Sequence, residues 1–516
     1  MQTQLLDIIC NPNLSPKQKT LNLASTAESM VDYQPLSDEL VKAKELSIIC
    51  DMFEGNAPFK PRYVLPDYAL FLQQGSVYLE LSPAEDFDDA LNHLTILYHH
   101  VPSVTNIPVF LGHLDKLLLP FVNELTEQEI YKKLKRFWIM LDRVLPDVFM
   151  HVNIGPVDNI ICRTILKIDG ELKQVAPNLT LLYKTEVTPD SLLKQACENI
   201  CHTGKPHIAN HVIHQQTFKQ LQIPDYGIVS CYNSLPIAGG CNNLVRLNLK
   251  KVAEESDSIA QFFEKYLPYY SSMMIELIDV RSQFLHEKSN FFESFLTKEN
   301  LISENKFAPM FGIFGMAETV AILLNKDMQK GLYGSDDNAN QLGFKISQWL
   351  ANFVQNSAVK YGLNNRSLLH SQGGISCDID VTPGIRIQYG KEPDPVNHLL
   401  ALAPQHQFYH SGVSEILTLD ETIKNNPDAM MQLCKGAFNA GLREFTANVG
   451  GNDLIRITGY MIKQSDIEKY QDEGSRTNTT WLGEEALKTT QVSQRKQTSL
   501  PSTSRVVANE FNLTHR

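Results

Sequence analysis

A glycine at position 459 stands where a strand-like stretch is expected to carry a side chain. The stretch Leu454–Met461 alternates, with Ile455 and Ile457 on one side. A glycine inside such a pattern marks a bulge, a turn or a close approach of two backbones. Glycine can also carry chemistry, because the flanking amide and carbonyl stabilise an unpaired electron on its α-carbon in a planar geometry that a Cβ would oppose. The pattern therefore favours either an ordinary turn or a site for a backbone radical.

A second group with distinctive chemistry is the thiol of Cys231, which follows the strand-like run Asp225–Ser230. Ile237–Gly240 predicts a turn, and Leu244–Leu249 alternates as a returning strand. Cys231 is therefore expected at the mouth of a strand–loop–strand unit. The simpler interpretation is a buried strand cysteine, because thiols often behave as small hydrophobic groups. The chemical interpretation depends on the weak S–H bond, from which a carbon radical can take hydrogen.

The surrounding pattern predicts alternating helices and strands that would position both groups. We divide the chain into a mainly helical part, 1–150, an α/β core with Cys231, 151–410, a domain with Gly459, 411–475, and a polar C-terminal tail, 476–516. We expect the tail to lie along the surface or to be mobile.

One predicted helix in the core carries residues that could be mistaken for a metal site. It should open with Thr188 as cap and Pro189 at the first helical position, and it should close near Gly204. Cys197 and Cys201 fall on its apolar face, which favours packed thiols over metal ligands. The histidines that follow, at 202, 207, 211 and 214, straddle a glycine and a proline, so no single rigid element presents them. We expect no metal site.

Composition narrows the class of protein. Among the 516 residues, 43% are hydrophobic and the net charge is −12, which is typical of a globular protein and argues against a nucleic-acid partner. No apolar run approaches the ~18 residues of a membrane span. The N-terminus lacks the pattern of a secretion signal. The nine cysteines are irregularly spaced without any C-x-x-C, so we expect a reducing, cytoplasmic location and no iron–sulfur cluster or four-cysteine zinc site.

Several motifs resemble those of the glycyl-radical enzymes, the superfamily that includes pyruvate formate-lyases and anaerobic ribonucleotide reductases. Arg456–Tyr460 resembles their R-V-S-G-Y signature near the C-terminus. Residues 107–117 resemble their G-R-L-D segment, with His113 replacing the arginine. The order and spacing of the segment that leads to the family's cysteine loop are matched by Pro177–Thr180, Thr188–Pro189, Thr203–Pro206, Asn210, Asp225–Tyr226 and Cys231. The resemblance spans about residues 107–461 and is nearest to the YjjI-type branch.

The resemblance implies a fold and a mechanism. The fold is an α/β barrel of two antiparallel half-sheets wrapped by helices, with a cysteine loop and a glycine loop meeting inside. A radical on Gly459 would generate a thiyl radical on Cys231, which abstracts hydrogen from a small polar substrate. No cofactor would be bound, because a separate radical S-adenosylmethionine activase with an iron–sulfur cluster would install the radical. A homodimer is one assembly that the resemblance allows.

The sequence also departs from each familiar branch of the family. Dehydratases and C–N lyases have a glutamate two residues after the cysteine, where this chain has Asn233, which cannot accept a proton. Pyruvate formate-lyases have two adjacent cysteines, where Tyr232 follows Cys231. Anaerobic ribonucleotide reductases carry a four-cysteine zinc site, which the cysteine spacing does not provide. Asn233 is a candidate substrate-binding residue.

Two weaker matches point toward the reductases. Phe311–Glu318 resembles the superfamily's G-x-x-G-x-x-E segment at a strand-to-helix junction. Phe408–Ser411 resembles a reductase substrate loop, which makes Tyr409 a second candidate substrate-binding residue.

Three functions therefore compete at this stage. The first is a radical enzyme acting on a small polar metabolite. The second is a reductase-like enzyme acting on a nucleoside or nucleotide, with Cys241, Cys377 or external formate as the source of electrons. The third is a non-catalytic relative that keeps the barrel as a binding protein. A glycine radical signal after anaerobic activation would separate the third function from the first two.

Overall fold

The computed structural model describes residues 2–31, 36–51, 59–103, 110–144, 149–371, 378, 380–413, 415–474 and 495–500. None of the helices in these ranges combines the length and apolar character that a membrane crossing needs.

Helices precede, separate and cover the strands. They are α1 (Gln2–Cys10), α2 (Pro16–Ser29), α3 (Asp38–Glu45), α4 (Tyr68–Gln74), α5 (Phe87–His100), α6 (Leu114–Leu118), α7 (Glu127–Val144), α8 (Ile160–Leu172), α9 (Asp190–Thr203), α10 (His211–Gln220), α11 (Leu249–Glu254), α12 (Ile259–Gln261), α13 (Leu267–Glu287), α14 (Phe295–Lys298), α15 (Met316–Lys326), α16 (Asp337–Asn356), α17 (Pro395–His406), α18 (Pro427–Asn439) and α19 (Gln464–Glu473).

The strands are short and almost entirely buried. They are β1 (Ile49–Cys50), β2 (Tyr63–Leu65), β3 (Phe110–His113), β4 (His151–Ile154), β5 (Asn178–Tyr183), β6 (His207–Asn210), β7 (Tyr226–Val229), β8 (Asn233–Pro236), β9 (Gly239–Cys241), β10 (Leu244–Asn248), β11 (Met310–Phe314), β12 (Leu368–Ser371), β13 (Leu417–Leu419), β14 (Glu444–Phe445), β15 (Ala447–Val449), β16 (Leu454–Arg456) and β17 (Met461–Lys463).

Two main sheets organise the structure. One has the order β14-β6-β5-β4-β3, with β3 to β6 parallel and β14 antiparallel at the edge. The other has the order β1-β10-β11-β12, with β10 to β12 parallel and β1 antiparallel. Helices α8 and α9 connect successive parallel strands of the first sheet, as parallel pairing requires.

Two β-hairpins carry the candidate radical residues. The cysteine hairpin is β7–β8, paired in register from Tyr226↔Pro236 to Val229↔Asn233. The glycine hairpin is β16–β17, paired from Leu454↔Lys463 to Arg456↔Met461. Each hairpin presents its tip to the other inside the molecule, as described below.

The cysteine hairpin is fastened to both main sheets. On the first sheet, the Asn153 amide of β4 donates to the Ile228 carbonyl and accepts from the Ile228 N–H, both at 2.8 Å. On the second sheet, the Ser411 carbonyl accepts from the Ser234 N–H at 2.9 Å, while the Ser411 hydroxyl donates to the Leu369 carbonyl of β12 at 3.0 Å. The hairpin therefore lies between the two sheets.

The structure corrects three of the strand and helix positions predicted from the sequence. The stretch 454–461 is not one strand, because Ile457 N–H donates to the Tyr460 carbonyl at 3.1 Å and closes a hairpin. The strand that returns after Cys231 is β8, whereas the sequence pattern placed the returning strand at Leu244–Leu249. Helix α9 begins at Asp190, one residue later than predicted, because Pro189 takes the cap position and the Thr188 hydroxyl bonds the Pro156 carbonyl.

The proposed domain boundaries are crossed by strand pairing. The first 150 residues are mainly helical, yet their strands β1 and β3 extend the two main sheets. Similarly, β14 lies in the proposed glycine domain and pairs with β6. Part of the predicted polar tail also pairs, since Thr498 bridges Leu419 of β13. Residues 476–494 and 501–516 of that tail lie outside the described residues.

A buried ion pair supports the start of β6. The Lys205 ammonium donates to Asp169 Oδ1 at 2.8 Å and to the carbonyls of Gln174 and Pro177 at 2.9 and 3.0 Å. Both charged side chains are 0% exposed. Burial lowers the pKa of Lys205, and the charge of Asp169 opposes that shift. Removing one partner would leave the other charge buried without compensation.

We therefore predict that Lys205→Met lowers the free energy of unfolding by about 3–5 kcal/mol, measured by urea denaturation. The matched control is Lys435→Met, whose partner Asp190 is 66% exposed. That change should cost less than about 1 kcal/mol. Equal losses in the two variants would contradict the assignment of Lys205 to a structural ion pair.

Candidate active site

The cysteine hairpin ends in a strained three-residue tip. Ser230 and Tyr232 both adopt left-handed conformations, with φ of 46° and 64°. Residues other than glycine rarely adopt positive φ, and such strain is held in place by the surroundings. The tip turns Cys231, which is 8% exposed, toward the glycine hairpin.

The glycine hairpin has Thr458 and Gly459 at its tip, and both residues are buried. The φ of Gly459 lies outside the left-handed region, so its conformation does not require glycine. The requirement is space. A Cβ at position 459 would lie 2.0 Å from Cys231 Cα, 2.1 Å from the Ser230 carbonyl oxygen and 2.3 Å from Cys231 N.

The two tips are therefore in direct backbone contact, and the α-carbons of Gly459 and Cys231 lie within about 4 Å of each other. Two side chains join the tips. Cys231 Sγ lies 3.1 Å from Thr458 Oγ1, and the Tyr232 hydroxyl donates to the Thr458 carbonyl at 3.0 Å. Hydrogen can pass between a thiol and a glycyl α-carbon only at such close range.

Arg456 and Asn448 hold the glycine hairpin against the rest of the structure. The Asn448 amide accepts from Arg456 N–H at 2.8 Å and donates to the Arg456 carbonyl at 2.9 Å. The guanidinium donates to the Gly204 carbonyl from Nη2 at 3.0 Å. Its Nη1 has no hydrogen-bond partner among the described residues, although the side chain is 0% exposed. Arg456 therefore places a buried positive charge beside the tip.

His113 holds the other end of the cysteine hairpin. Its Nε2 lies 2.8 Å from the Tyr226 carbonyl, and the side chain is 5% exposed. Burial lowers the pKa of His113, so the ring is neutral and Nε2 donates. The histidine that replaces the family's arginine thus anchors the base of β7. The first turn of α6 is acidic, and its Asp115 accepts hydrogen bonds from Gly155 N–H and from the Asn159 side-chain amide.

The surroundings of the tips are polar but mostly neutral. Burial, together with the charge of Arg456, lowers the pKa of His151 to about 3. Burial likewise lowers the pKa of His207 well below its ordinary value, and the ring of His207 meets that of Tyr232 edge to face at 4.6 Å. Burial raises the pKa of the Tyr232 hydroxyl. These groups can bind a polar molecule without adding charge.

Asn233 belongs to this site, whereas Tyr409 faces elsewhere. The Asn233 amide donates to the Val229 carbonyl at 3.2 Å, and its Oδ1 has no hydrogen-bond partner among the described residues. The Tyr409 hydroxyl lies 2.9 Å from Ser347 Oγ on α16, within the core of the second sheet. The prediction that Tyr409 contacts substrate therefore gains no support from its position.

Other cysteines of the described residues lie in separate strands and helices. Cys241 is in β9, and its thiol donates to the Asn243 carbonyl at 3.1 Å. Cys197 and Cys201 are buried on α9, as predicted, and burial raises the pKa of Cys201 to about 12. In the described part of the chain, no three His, Cys, Asp or Glu side chains are grouped to hold a metal ion. Cys377 lies outside the described residues.

Sequence reasoning missed the polar residues that line the site from the first sheet. His151, Thr180, His207 and Glu444 are each 0% exposed in short strands. The available signal was the alternation of polar with apolar residues, as in Asn178–Leu181. Strands buried on both faces are usually apolar throughout, so this alternation marks one face as a polar interior.

Comparison with known proteins agrees with this geometry. Residues 14–498 match the family described as "Glycyl radical enzyme YjjI-like". The chain is 57% identical over 497 residues to the Escherichia coli (strain K12) protein YjjI, covering 96% of each chain. It is 36% identical over 489 residues to an uncharacterized protein of Haemophilus influenzae, covering 93% of this chain and 94% of the relative.

The solved structures show the fold. The hydroxyproline dehydratase HypD from Clostridioides difficile, determined with trans-4-hydroxy-L-proline bound, superimposes with a TM-score of 0.74. The match covers 97% of this chain and 89% of that one, at 13% sequence identity. The α/β barrel expected from the sequence is thereby confirmed, and the chain belongs to the YjjI-like family of glycyl radical enzymes.

Proposed function

We propose that a backbone radical on Gly459 generates a thiyl radical on Cys231, which abstracts hydrogen from a small polar substrate. The observation that carries this proposal is the contact between the two hairpin tips, which leaves no room for a side chain at position 459. A close backbone contact serves hydrogen transfer because the distance governs its rate. The family to which the chain belongs supports the same chemistry.

The division of roles follows from bond strengths. A glycyl radical is persistent because its electron is delocalised, and it reacts slowly with most carbon–hydrogen bonds. It can take hydrogen from the weak S–H bond of Cys231. The thiyl radical then attacks a substrate carbon activated by an adjacent oxygen or nitrogen. After product formation, hydrogen returns from Cys231 and the radical returns to Gly459, so one activation supports many turnovers.

Installation of the radical requires the glycine hairpin to leave its buried position. Gly459 is buried against Cys231, so no second protein can reach its α-carbon in this arrangement. We infer that a radical S-adenosylmethionine activase receives the hairpin after it swings out, in a hinge-type motion. Arg456 and Asn448 would have to release their contacts during that motion.

The first prediction concerns Gly459→Ala. The added methyl group would overlap three backbone atoms of the cysteine hairpin, so the tips should separate. Hydrogen–deuterium exchange should accelerate in residues 226–236 and 454–463. Electron paramagnetic resonance should show no glycine doublet after anaerobic activation, because alanine resists the planar radical geometry.

The matched control for this prediction is Gly450→Ala. A Cβ there first meets the end of the Gln497 side chain at 3.2 Å, which can move aside. This variant should keep both the slow exchange and the doublet. A normal doublet in Gly459→Ala would show that another residue carries the radical.

The second prediction separates Cys231 from Cys241 without a known substrate. In heavy water the thiol becomes S–D, so the glycyl radical takes deuterium and later returns with either isotope at its α-carbon. The doublet of activated wild-type protein should therefore collapse toward a singlet. Cys231→Ser should keep its doublet in heavy water and lose turnover, because an O–H bond is too strong for the glycyl radical to break.

Cys241→Ser serves as the matched control, since its thiol contacts only its own loop carbonyl among the described hydrogen bonds. Its doublet should collapse as in the wild type. The reverse pattern, with collapse lost only in Cys241→Ser, would move the relay to Cys241.

The third prediction concerns oxygen. Oxygen adds to a backbone radical, and the resulting peroxyl group breaks the chain at that residue. Exposure of activated protein to air should yield a long N-terminal fragment that ends near Thr458, identified by mass spectrometry. An intact chain after exposure of a sample with a confirmed doublet would contradict a radical on Gly459.

A further inference from the structure

A continuous chain of buried polar side chains runs beside the cysteine hairpin. Its members are each 0% exposed. The contacts are Ser234 Oγ–His214 Nδ1 at 3.1 Å, His214 Nε2–Glu444 Oε1 at 2.8 Å, Glu444 Oε2–His207 Nε2 at 3.3 Å, His207 Nε2–Thr180 Oγ1 at 3.0 Å and Thr180 Oγ1–His151 Nε2 at 2.6 Å. Glu444 carries the only carboxyl group among these six side chains, and a histidine lies on each side of it.

Strand register places these polar side chains on the face of the first sheet that carries the cysteine hairpin. Thr180 pairs with Asn153 on one side and His207 on the other, so the three side chains share a face. Asn153 uses its amide to hold Ile228 of the hairpin. Glu444 pairs with Ala209, two residues beyond His207, and therefore points to the same face.

The buried polar side chains contact two residues that follow Cys231, Tyr232 and Ser234. The ring of His207 lies 4.6 Å from that of Tyr232, and His214 Nδ1 bonds Ser234 Oγ on β8. Between these contacts lies Asn233, whose Oδ1 has no hydrogen-bond partner in the described residues. Glu444 Oε2 likewise accepts no well-aligned hydrogen bond there. Buried polar atoms of this kind need a partner, which a water or a bound molecule can supply.

Electrostatics place the resting proton on the carboxyl group. Burial raises the pKa of Glu444 well above its ordinary value, against the opposing charge of Arg443. Burial lowers the pKa values of His207 and His214 well below theirs. Burial thus favours a protonated carboxyl between two neutral imidazoles, an arrangement with one proton donor beside two proton acceptors.

We propose that Glu444, held between His207 and His214, transfers the proton that the substrate radical must exchange. It takes the role of the carboxylate that dehydratases and C–N lyases have at the position of Asn233. This inference rests on the proposed function, because it concerns the step after hydrogen abstraction by Cys231. The substrate class is a small molecule with a hydroxyl group on the attacked carbon and a hydroxyl or amino group on the next carbon.

The step balances without an external oxidant or reductant. Cys231 takes a hydrogen atom from the carbon that bears the first hydroxyl. That hydroxyl gives its proton to His207 and becomes a carbonyl, while the leaving group departs with its bonding electrons and takes the proton of Glu444. The unpaired electron remains on the neighbouring carbon, which takes hydrogen back from Cys231. A proton then passes from His207 to Glu444, and both groups return to their starting states.

The alternative reactions fit this arrangement less well. An acyl transfer of the formate-lyase kind needs a second thiol beside Cys231, where Tyr232 stands. A reduction needs an electron donor, and the thiol of Cys241, one of the candidates, is bonded to the Asn243 carbonyl of its own loop. An elimination needs only a proton donor and acceptor, which the buried carboxyl and imidazoles supply.

The test compares wild-type protein with Glu444→Gln, which keeps the shape of the side chain and removes the acidic proton. Both proteins are activated anaerobically and incubated with a small-molecule extract of anaerobically grown cells, and mass spectrometry follows consumption. We expect the wild type to yield a product lighter than its substrate by one water or one ammonia. Glu444→Gln should be about 100-fold slower or worse, with its doublet and heavy-water collapse unchanged.

Glu392→Gln is the control, because Glu392 is 5% exposed and its Oε2 accepts from the backbone of Lys496, away from the chain of contacts. Its turnover should stay within about twofold of wild type, far from the loss expected for a proton-transfer group. Equal rates in wild type and Glu444→Gln would overturn the role of Glu444. A wild-type screen without a product lighter by water or ammonia would overturn the substrate class. If the activated wild type shows no doublet, or shows a doublet that does not collapse in heavy water, the proposed function is overturned instead.

A second readout needs no substrate. Infrared difference spectra between the wild type and Glu444→Gln at neutral pH should contain the carbonyl stretch of a protonated carboxyl, shifted in heavy water. A difference spectrum with only carboxylate bands would overturn the resting proton on Glu444.

Discussion

The structure depends on one steric constraint, the direct contact between the backbones of two hairpin tips. Because a Cβ at position 459 would overlap Cys231 Cα and the Ser230 carbonyl oxygen, only glycine allows the contact. The left-handed conformations of Ser230 and Tyr232 turn the cysteine backbone toward it. The same glycine is the residue best able to carry a backbone radical. Close packing and radical chemistry therefore place the same demand on position 459, and one residue type satisfies both.

A small set of hydrogen bonds holds the two hairpins in position. Asn153 fastens the cysteine hairpin to the first sheet, and Ser411 fastens it to the second. Asn448 and the Gly204 carbonyl hold Arg456, and with it the glycine hairpin. These contacts are individual hydrogen bonds, each worth about 1 kcal/mol. A set of modest contacts suits a hairpin that, under the proposed activation, must be both precisely seated and releasable.

Ionisable groups beside the hairpin tips are arranged differently from those in another part of the interior. Lys205 is neutralised by Asp169 in a buried pair. Beside the tips, by contrast, burial disfavours the charged forms, so it lowers the pKa of His207 and raises the pKa of Glu444. An interior of this kind can exchange protons with a bound molecule at small electrostatic cost. Under the role proposed for Glu444, the acidic group lies on β14 and not at position 233, where the chain has an asparagine.

The sequence by itself determined the α/β class and the core helix that ends at its Gly204 cap, although it placed the start of that helix one residue too early, because both depend on local spacing. Short motifs selected Gly459 and Cys231 as the reactive residues, and that selection stays a prediction. The sequence also identified the family, because the glycine motif and the cysteine motif are each a short continuous stretch of residues. Only the tertiary structure decided that β14 pairs with β6 and brings Glu444 to His207, because those strands are far apart in sequence and nothing local specifies their register. It also decided that the stretch around Gly459 is a hairpin and that Tyr409 faces Ser347. In both cases long-range packing selected between conformations that the local pattern allowed equally.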